Sequence, residues 1–161
     1  MYHHLRSAWQ GYVLPMLQRP KRLQVAALCY RGEGDKTEVL IVSSRGTGRW
    51  IIPKGWPIRG LTSAQAALQE AWEEAGVRKG RTTGEVIGSY TYKKRKSGWA
   101  MLVDTLVYPV AVDDLRDDFP EASERRRKWV PPQKAAELVQ EPELQELLRT
   151  FRPEAVNPHI T

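Results

Sequence analysis

The stretch from residue 50 to residue 76 constrains the fold more than any other part of the chain. It begins with the apolar run "WII", continues through "PKGW", and ends in the segment "TSAQAALQEAWEEAG". The apolar run is typical of a buried strand, and Pro53 stiffens its exit. Thr62 or Ser63 can cap a helix, and Gly76 stands where a helix-ending glycine belongs. We therefore predict a strand, a short loop and one long helix, in that order.

The two faces of this predicted helix differ in chemistry. At about 100° per residue, one apolar stripe forms from Ala64, Ala67, Leu68, Ala71, Trp72 and Ala75. Glu70, Glu73 and Glu74 lie together on another face, where like charges one turn apart repel one another. Hard divalent cations need several converging carboxylate oxygens, so the glutamates form a candidate metal site. An ordinary solvated helix face is the alternative.

Short apolar runs and turn signals along the rest of the chain favour an α/β domain. The pattern predicts further strands at residues 25–30, 39–42, 86–92, 100–112 and 128–130, and closing helices at residues 132–139 and 141–151. The segment "KKRKSG" is expected to be the turn between two of these strands. The last residues, from 152 onward, are expected to be loosely ordered.

Composition indicates a soluble, globular protein. Charged residues make up 27% of the 161 residues and hydrophobic residues 41%, which suits one domain with a real core. Cys29 is the only cysteine, so the chain forms no internal disulfide, and no Cys/His spacing indicates zinc. We expect a reduced, cytoplasmic protein. No apolar run is long enough to cross a membrane, and the first residues lack the apolar core of a signal peptide.

The net charge of +6 is concentrated in three basic runs, "RPKR" at 19–22, "KKRK" at 93–96 and "RRRK" at 125–128. Such runs suit anionic partners, including nucleic acid, phospholipid head groups and polyphosphates. Solvated loops and strand edges are the alternative for each run.

The spacing between the glycine of "PKGW" and the glutamates resembles the Nudix box. That pattern reads Gly, five residues, Glu, seven residues, then Arg-Glu-apolar-any-Glu-Glu-any-Gly-apolar. The positions that agree in register are Gly55, Glu70, Ala71, Glu73, Glu74, Gly76 and Val77. Two positions depart from it, because Leu61 stands where Glu is usual and Gln69 where Arg is usual.

This resemblance implies a fold and a reaction. The expected fold is a mixed β-sheet sandwiched between helices (α/β/α) at residues 22–151, with an N-terminal extension at 1–21 and a tail at 152–161. The expected reaction is attack of water on a phosphorus of a diphosphate linkage. It would depend on Mg²⁺, with Mn²⁺ as a substitute.

The resemblance also assigns candidate catalytic and metal-binding residues. Glu73, Glu74 and the carbonyl of Gly55 are the expected ligands. Glu70 is either a further ligand or the general base, and the sequence leaves both open. A late loop, "DDLRDDFPEASE", often supplies a further carboxylate in this family, and Glu121 and Glu124 lie closest to the strand that follows. We take Glu121 as the candidate ligand, with the remaining acids of that loop as plain loop residues: Asp113, Asp114, Asp117 and Asp118.

The lead-in "PKGW" and the basic "KKRK" run resemble the branch that contains the diphosphoinositol polyphosphate and dinucleoside polyphosphate hydrolases. A heavily phosphorylated small molecule is therefore the expected substrate, with nucleic acid less favoured. The candidate substrate-binding residues are Arg45, Arg49, Lys54, Lys93, Lys94, Arg95 and Lys96. Tyr90, Tyr92 or Trp99 could stack on a base, although packing within strands is the favoured role for these three.

The departures at positions 61 and 69 motivate an alternative function. A catalytically weak module of the same fold could bind RNA, polyphosphate or a protein partner through the basic runs. The N-terminal extension, with Trp9, Tyr12 and Leu14, could pack against a second subunit and form a homodimer.

Overall fold

The computed structural model describes residues 22–156, so the predicted extension at 1–21 and its proposed subunit contact lie outside the described residues. The strands are β1 Arg22–Arg31, β2 Glu38–Ser43, β3 Trp50–Ile51, β4 Lys54–Gly55, β5 Val77–Arg81, β6 Gly88–Lys96, β7 Trp99–Leu115 and β8 Arg127–Val130. The helices are α1 Ser63–Ala75, α2 Pro132–Leu138, α3 Pro142–Thr150 and α4 Pro153–Val156, with a 3-10 turn at Gly34–Lys36.

Local sequence signals begin and end α1 as predicted. The hydroxyl of Thr62 accepts a hydrogen bond from the backbone of Gln65, whose side chain accepts one from the backbone of Thr62, so the two form a capping box. Gly76 ends the helix with a φ of +77°, in the left-handed region that glycine adopts without steric cost.

The strands form one mixed sheet with helices on both faces. Its main order is β3-β2-β1-β7-β5, with β4 paired to β1, β6 to β7 and β8 to β2. β1 runs parallel to β7, and the other pairs are antiparallel. Alternate side chains of β1 enter two cores, because Val25 and Ala27 pack with α1 whereas Ala26 and Leu28 pack with α2 and α3. The predicted α/β/α arrangement is confirmed.

Several details of the structure differ from the prediction. The run 93–96 belongs to β6, and only Ser97 and Gly98, both with positive φ, turn the chain into β7. Residues 153–156 form α4, which is docked because Glu154 accepts a hydrogen bond from the backbone of Gly34. β5 was not predicted, and its charged sequence "VRKGR" lacks the apolar alternation that marks a strand. Trp72 is only half-buried on α1, whereas Ala66 is fully buried.

None of the helices within residues 22–156 has the length and apolar character needed to span a membrane.

Candidate active site

Gly55 and Glu70 meet where β4 lies beside α1. β4 is held in place by its pairing with β1, in which Gly55 stands opposite Val25. A β-carbon built on Gly55 would lie 2.2 Å from Cδ of Glu70 and 2.3 Å from its Oε1. Only glycine leaves room for the Glu70 carboxylate here, so the lack of a side chain at position 55 creates the space that the carboxylate fills.

Glu74, one turn further along α1, is buried at 5% exposure. Its Oε1 accepts a hydrogen bond of 3.2 Å from the backbone N–H of Lys54. Its Oε2 lies 3.3 Å from Nη2 of Arg125, a side chain that is itself 5% exposed. The carboxylate therefore joins α1 both to β4 and to the loop that precedes β8.

Glu121 approaches the same carboxylates from that loop. Its backbone N–H donates to the carbonyl of Glu73 at 3.0 Å, and its Oε1 lies 3.0 Å from Nη2 of Arg125. Glu124 is more exposed and lies 3.5 Å from Arg45. The other loop acids that are paired contact arginines: Asp113 with Arg81, Asp114 with Arg78 and Arg116, and Asp117 with Arg127.

The two positions that depart from the Nudix box lie just before α1 and on it. Leu61 and Gln69 both line a groove of about 630 Å³ between α1 and β5. Leu61 remains 41% exposed, so it anchors the preceding loop only weakly. Gln69 donates a hydrogen bond of 3.0 Å from Nε2 to Oε1 of Glu73, the contact that its position one turn away allows.

Burial and repulsion from neighbouring carboxylates make Glu70 and Glu74 resist ionisation. Burial raises the pKa of Glu70 to about 8, and the negative charges of three neighbours add to the rise: Glu74, Glu73 and Glu121. Burial also raises the pKa of Glu74, against the opposing positive charges of Arg125 and Lys54. Desolvation is the largest cause of the raised pKa of Glu70, and the three neighbouring carboxylates add to it against the opposing charge of Arg125.

The donor chemistry of this cluster fits a hard divalent cation. Several carboxylates share one region with a glycine, and a bound cation would relieve their repulsion and favour their ionised forms. Within residues 22–156, no three His, Cys, Asp or Glu side chains are arranged as a ready ligand set. Glu74 and Glu121 contact the guanidinium of Arg125 instead. The assignment of Gly55 and the four glutamates as ligands therefore stays a prediction.

Three of the predicted phosphate-binding cations lie near this cluster and have partners of their own. Burial lowers the pKa of the Lys54 ammonium, whose Nζ lies 5.0 Å from the centre of the Tyr92 ring. Arg49 forms an ion pair with Glu141, with 2.5 Å between Nη1 and Oε1. Arg45 lies 3.4 Å from Glu121 and is 61% exposed, so it is the most accessible of the three.

The basic run at 93–96 is divided between two faces because it lies in a strand. Lys94 lies on the same face as Tyr92, and its Nζ is 5.0 Å from the centre of the Trp56 ring. Arg22 approaches that ring at 6.0 Å. By strand alternation, Lys93 and Arg95 point to the opposite face, so these two cations and Lys94 do not form one cradle.

The three aromatic candidates have different environments. Tyr90 is buried at 1% exposure in the core, which confirms strand packing and excludes stacking on a ligand. Tyr92 is half-buried and donates a hydrogen bond of 2.5 Å to Oε1 of Gln24. Trp99 is 56% exposed beside the turn of the β6–β7 hairpin. The exposed Trp56, beside two cations, is a ring that the sequence interpretation did not consider.

The three arginines of the "RRRK" run all have partners within the fold. Arg125 binds the site carboxylates, and Arg126 donates to the carbonyl of Gly48. Arg127 donates to the carbonyls of Ala75 and Arg116, which satisfies the C-terminal end of α1. Each of these three arginines has a partner within the fold, and binding of an external anion by this run stays a prediction. Arg125 is the functional candidate that sequence reasoning missed, and its only signal was proximity to the predicted carboxylate loop.

Comparisons with known proteins agree on the family. The chain is 35% identical to Nudix hydrolase 21, chloroplastic, from Arabidopsis thaliana over 123 residues, which are 73% of this chain and 58% of the relative. It is 31% identical to diphosphoinositol polyphosphate phosphohydrolase 2 from Mus musculus over 119 residues, 73% of this chain and 62% of the relative. The matches thus span about three fifths of these two relatives.

Solved structures with low sequence identity share the fold. A C. elegans Ap4A hydrolase matches with a TM-score of 0.59 and 22% identity, over 80% of this chain and 93% of the other. The NUDIX domain of Shewanella oneidensis NrtR, complexed with ADP ribose, matches with a TM-score of 0.61 and 17% identity. The match covers 89% of this chain and 94% of that domain. The NUDIX domain profile matches residues 20–151. The chain therefore belongs to the NUDIX domain family.

Proposed function

We propose that this protein hydrolyses a diphosphate linkage in a nucleoside or inositol polyphosphate, by attack of water at phosphorus and in dependence on Mg²⁺ or Mn²⁺. Membership of the NUDIX family supports the reaction class. The observation that carries the proposal is the packing of Glu70 against Gly55, beside Glu74 and Glu121. Such a concentration of carboxylates is suited to holding a cation against an anionic substrate.

Each residue has a distinct task in this proposal. Glu73, Glu74 and the carbonyl of Gly55 would hold the metal, with Glu121 as a further ligand. A divalent ion bound there neutralises the diphosphate and lowers the pKa of water. Without metal, the Glu70 carboxyl has a pKa of about 8 and is largely protonated at neutral pH, so its use as general base or ligand would require the bound cation that favours its ionised form.

The substrate class follows from the cations around the carboxylates. Lys54 and Arg45 can meet phosphate near the cleaved linkage, and Lys94 lies beside Trp56 further along the same face. The names of the relatives support this class, because one is a diphosphoinositol polyphosphate phosphohydrolase. A substrate with phosphates beyond the cleaved linkage would use both groups of cations.

Product analysis across a substrate panel tests the proposal. The panel contains a diphosphoinositol polyphosphate, a dinucleoside polyphosphate and a nucleotide sugar, each with Mg²⁺, with Mn²⁺ and with chelator. Glu73→Gln and Glu70→Gln should each remove most hydrolysis, whereas Glu137→Gln, on an exposed part of α2, should not. Hydrolysis that persists in chelator, or in both site variants, would contradict the proposal.

The same assay separates the enzyme from the alternative, a binding module without effective catalysis. That alternative relied partly on the basic runs, and the arginines at 125–127 have partners within the fold. Binding of the polyphosphates without any hydrolysis in Mg²⁺ would favour the module.

A further inference from the structure

Arg125 lies between two carboxylates that come from different parts of the chain. Its Nη2 is 3.3 Å from Oε2 of Glu74 on α1 and 3.0 Å from Oε1 of Glu121 in the loop before β8. Its Nη1 donates to the carbonyl of Ser43 at 3.0 Å. Because one nitrogen of the guanidinium contacts both carboxylates while another is fixed by a backbone carbonyl, Arg125 sets the separation of the two carboxylates as well as offsetting their charge.

The helix itself provides no such charge. α1 has the sequence "SAQAALQEAWEEA", which contains no lysine or arginine. Gln69, where the box pattern has arginine, gives Glu73 one neutral hydrogen bond and carries no charge. Cations near these carboxylates therefore come from other elements, and within residues 22–156 Arg125 contacts both Glu74 and Glu121.

We infer that Arg125, from the loop before β8, supplies the positive charge that α1 lacks, and that it does so through Glu74 and Glu121 rather than through the Glu73 that Gln69 contacts. It is a positioning residue, acting through Glu74 and Glu121, and its effect on turnover rests on the proposed function. The backbone bond from Glu121 to the carbonyl of Glu73 supports this, since it fixes the loop to the same turn of α1. The competing role is a plain loop anchor, because Arg125 also bonds Ser43.

A double-mutant cycle separates these two roles. The proteins are the wild type, Arg125→Gln, Gln69→Arg and the double variant, with Arg126→Gln as a matched control from the same loop. We expect Arg125→Gln to lower kcat about ten-fold or more while KM changes about three-fold at most, because the loss is of orientation rather than substrate contact. The double variant should regain at least about three-fold in kcat, because one guanidinium is again present beside the carboxylates.

Thermal unfolding in chelator provides a second measurement that needs no catalysis. Arg125→Gln should lower Tm more than Arg126→Gln does, because it leaves the buried Glu74 without its charged partner. Gln69→Arg should restore part of that loss in the double variant. If the wild type hydrolyses nothing, the proposed function fails, and this unfolding cycle still decides the role of Arg125.

Two outcomes would overturn the inference. One is a double variant that is as inactive and as unstable as Arg125→Gln, which would make Arg125 an anchor for the loop.

The other concerns Arg125→Lys, which replaces Arg125→Gln if that variant does not fold. Lysine keeps the positive charge and loses the forked geometry of the guanidinium. We then expect Arg125→Lys to fold and to retain measurable hydrolysis and part of the wild-type Tm in chelator. A lysine variant that also fails to fold, or folds without hydrolysis, would show that charge at position 125 is not what the site needs.

Discussion

The carboxylate of Glu70 occupies the space that a side chain on Gly55 would need, since a β-carbon there would come within 2.3 Å of Oε1. Gly55→Ala should therefore displace Glu70 and lower kcat for diphosphate hydrolysis by about ten-fold or more, as expected for a displaced catalytic group. Steady-state kinetics at saturating Mg²⁺ measures the effect.

Gly46→Ala is the matched control for that substitution, because a β-carbon on Gly46 would meet no atom within 4 Å. It should leave kcat close to the wild-type value. Full activity in Gly55→Ala would show that Glu70 does not need this position.

The raised pKa of Glu70 predicts a pH dependence of stability in the metal-free protein. Between its ordinary pKa of 4.5 and the folded-state pKa of about 8, the folded protein holds a proton that the unfolded chain has released. Raising the pH through this window therefore favours the unfolded state, so Tm in chelator should fall from about pH 5 to pH 8. Glu70→Gln should reduce that fall, because it removes the titrating group. The same slope in the variant as in the wild type would contradict the assignment.

The ion pair between Arg49 and Glu141 should contribute to stability rather than bind substrate. The side chains are 23% and 7% exposed, so Arg49→Ala leaves a buried carboxylate without its partner. We expect a loss of about 3 kcal/mol in the free energy of unfolding, at the lower end for a broken buried pair. Urea denaturation measures it.

Lys134→Ala gives the comparison for that loss, because it breaks an exposed pair with Glu137 in which the side chains are 53% and 69% exposed. Its effect should stay within about 0.5 kcal/mol. If Arg49→Ala instead raises KM without loss of stability, Arg49 is a substrate-binding residue.

The two faces of β6 predict unequal roles for neighbouring lysines. Lys94 lies beside Trp56, whereas Lys93 points to the other face, so Lys94→Ser should raise KM for a polyphosphorylated substrate more than Lys93→Ser does. The difference should shrink with added salt, because exposed charges are screened over about 8 Å at physiological ionic strength. Equal effects on KM from both lysines would show that the strand face does not matter for substrate binding.

Helix α1 and its acidic face could be predicted from the sequence because they depend on local interactions. The capping box of Thr62 and Gln65, the left-handed Gly76 and the spacing of Glu70, Glu73 and Glu74 all act within one or two turns of α1. Their geometry depends on backbone periodicity and on neighbours a few residues away. The helix and its acidic face could therefore be predicted without knowledge of the rest of the chain.

Strand alternation was predictable in principle, and the error at 93–96 came from mistaking a strand for a turn. Four consecutive cations resemble a solvated turn, whereas pairing with β7 continues as far as Lys96 and Trp99. The pairing is decided by the partner strand, which extends the hairpin beyond its apolar part. Sequence propensity alone does not contain that information.

Only the tertiary structure decided which groups meet the glutamates. Arg125 contacts Ser43 across 82 positions of sequence, and it reaches Glu74 only because β2, α1 and the loop before β8 come together. Closing such distances costs chain entropy that the packing of the whole sheet offsets, so no short motif specifies them. The sequence by itself determined the acidic face of α1 and the glycine that precedes it. The packed fold decided that Glu70 fills the space at Gly55. It also decided that an arginine from a loop offsets the charge of the glutamates, because the helix itself has no lysine or arginine.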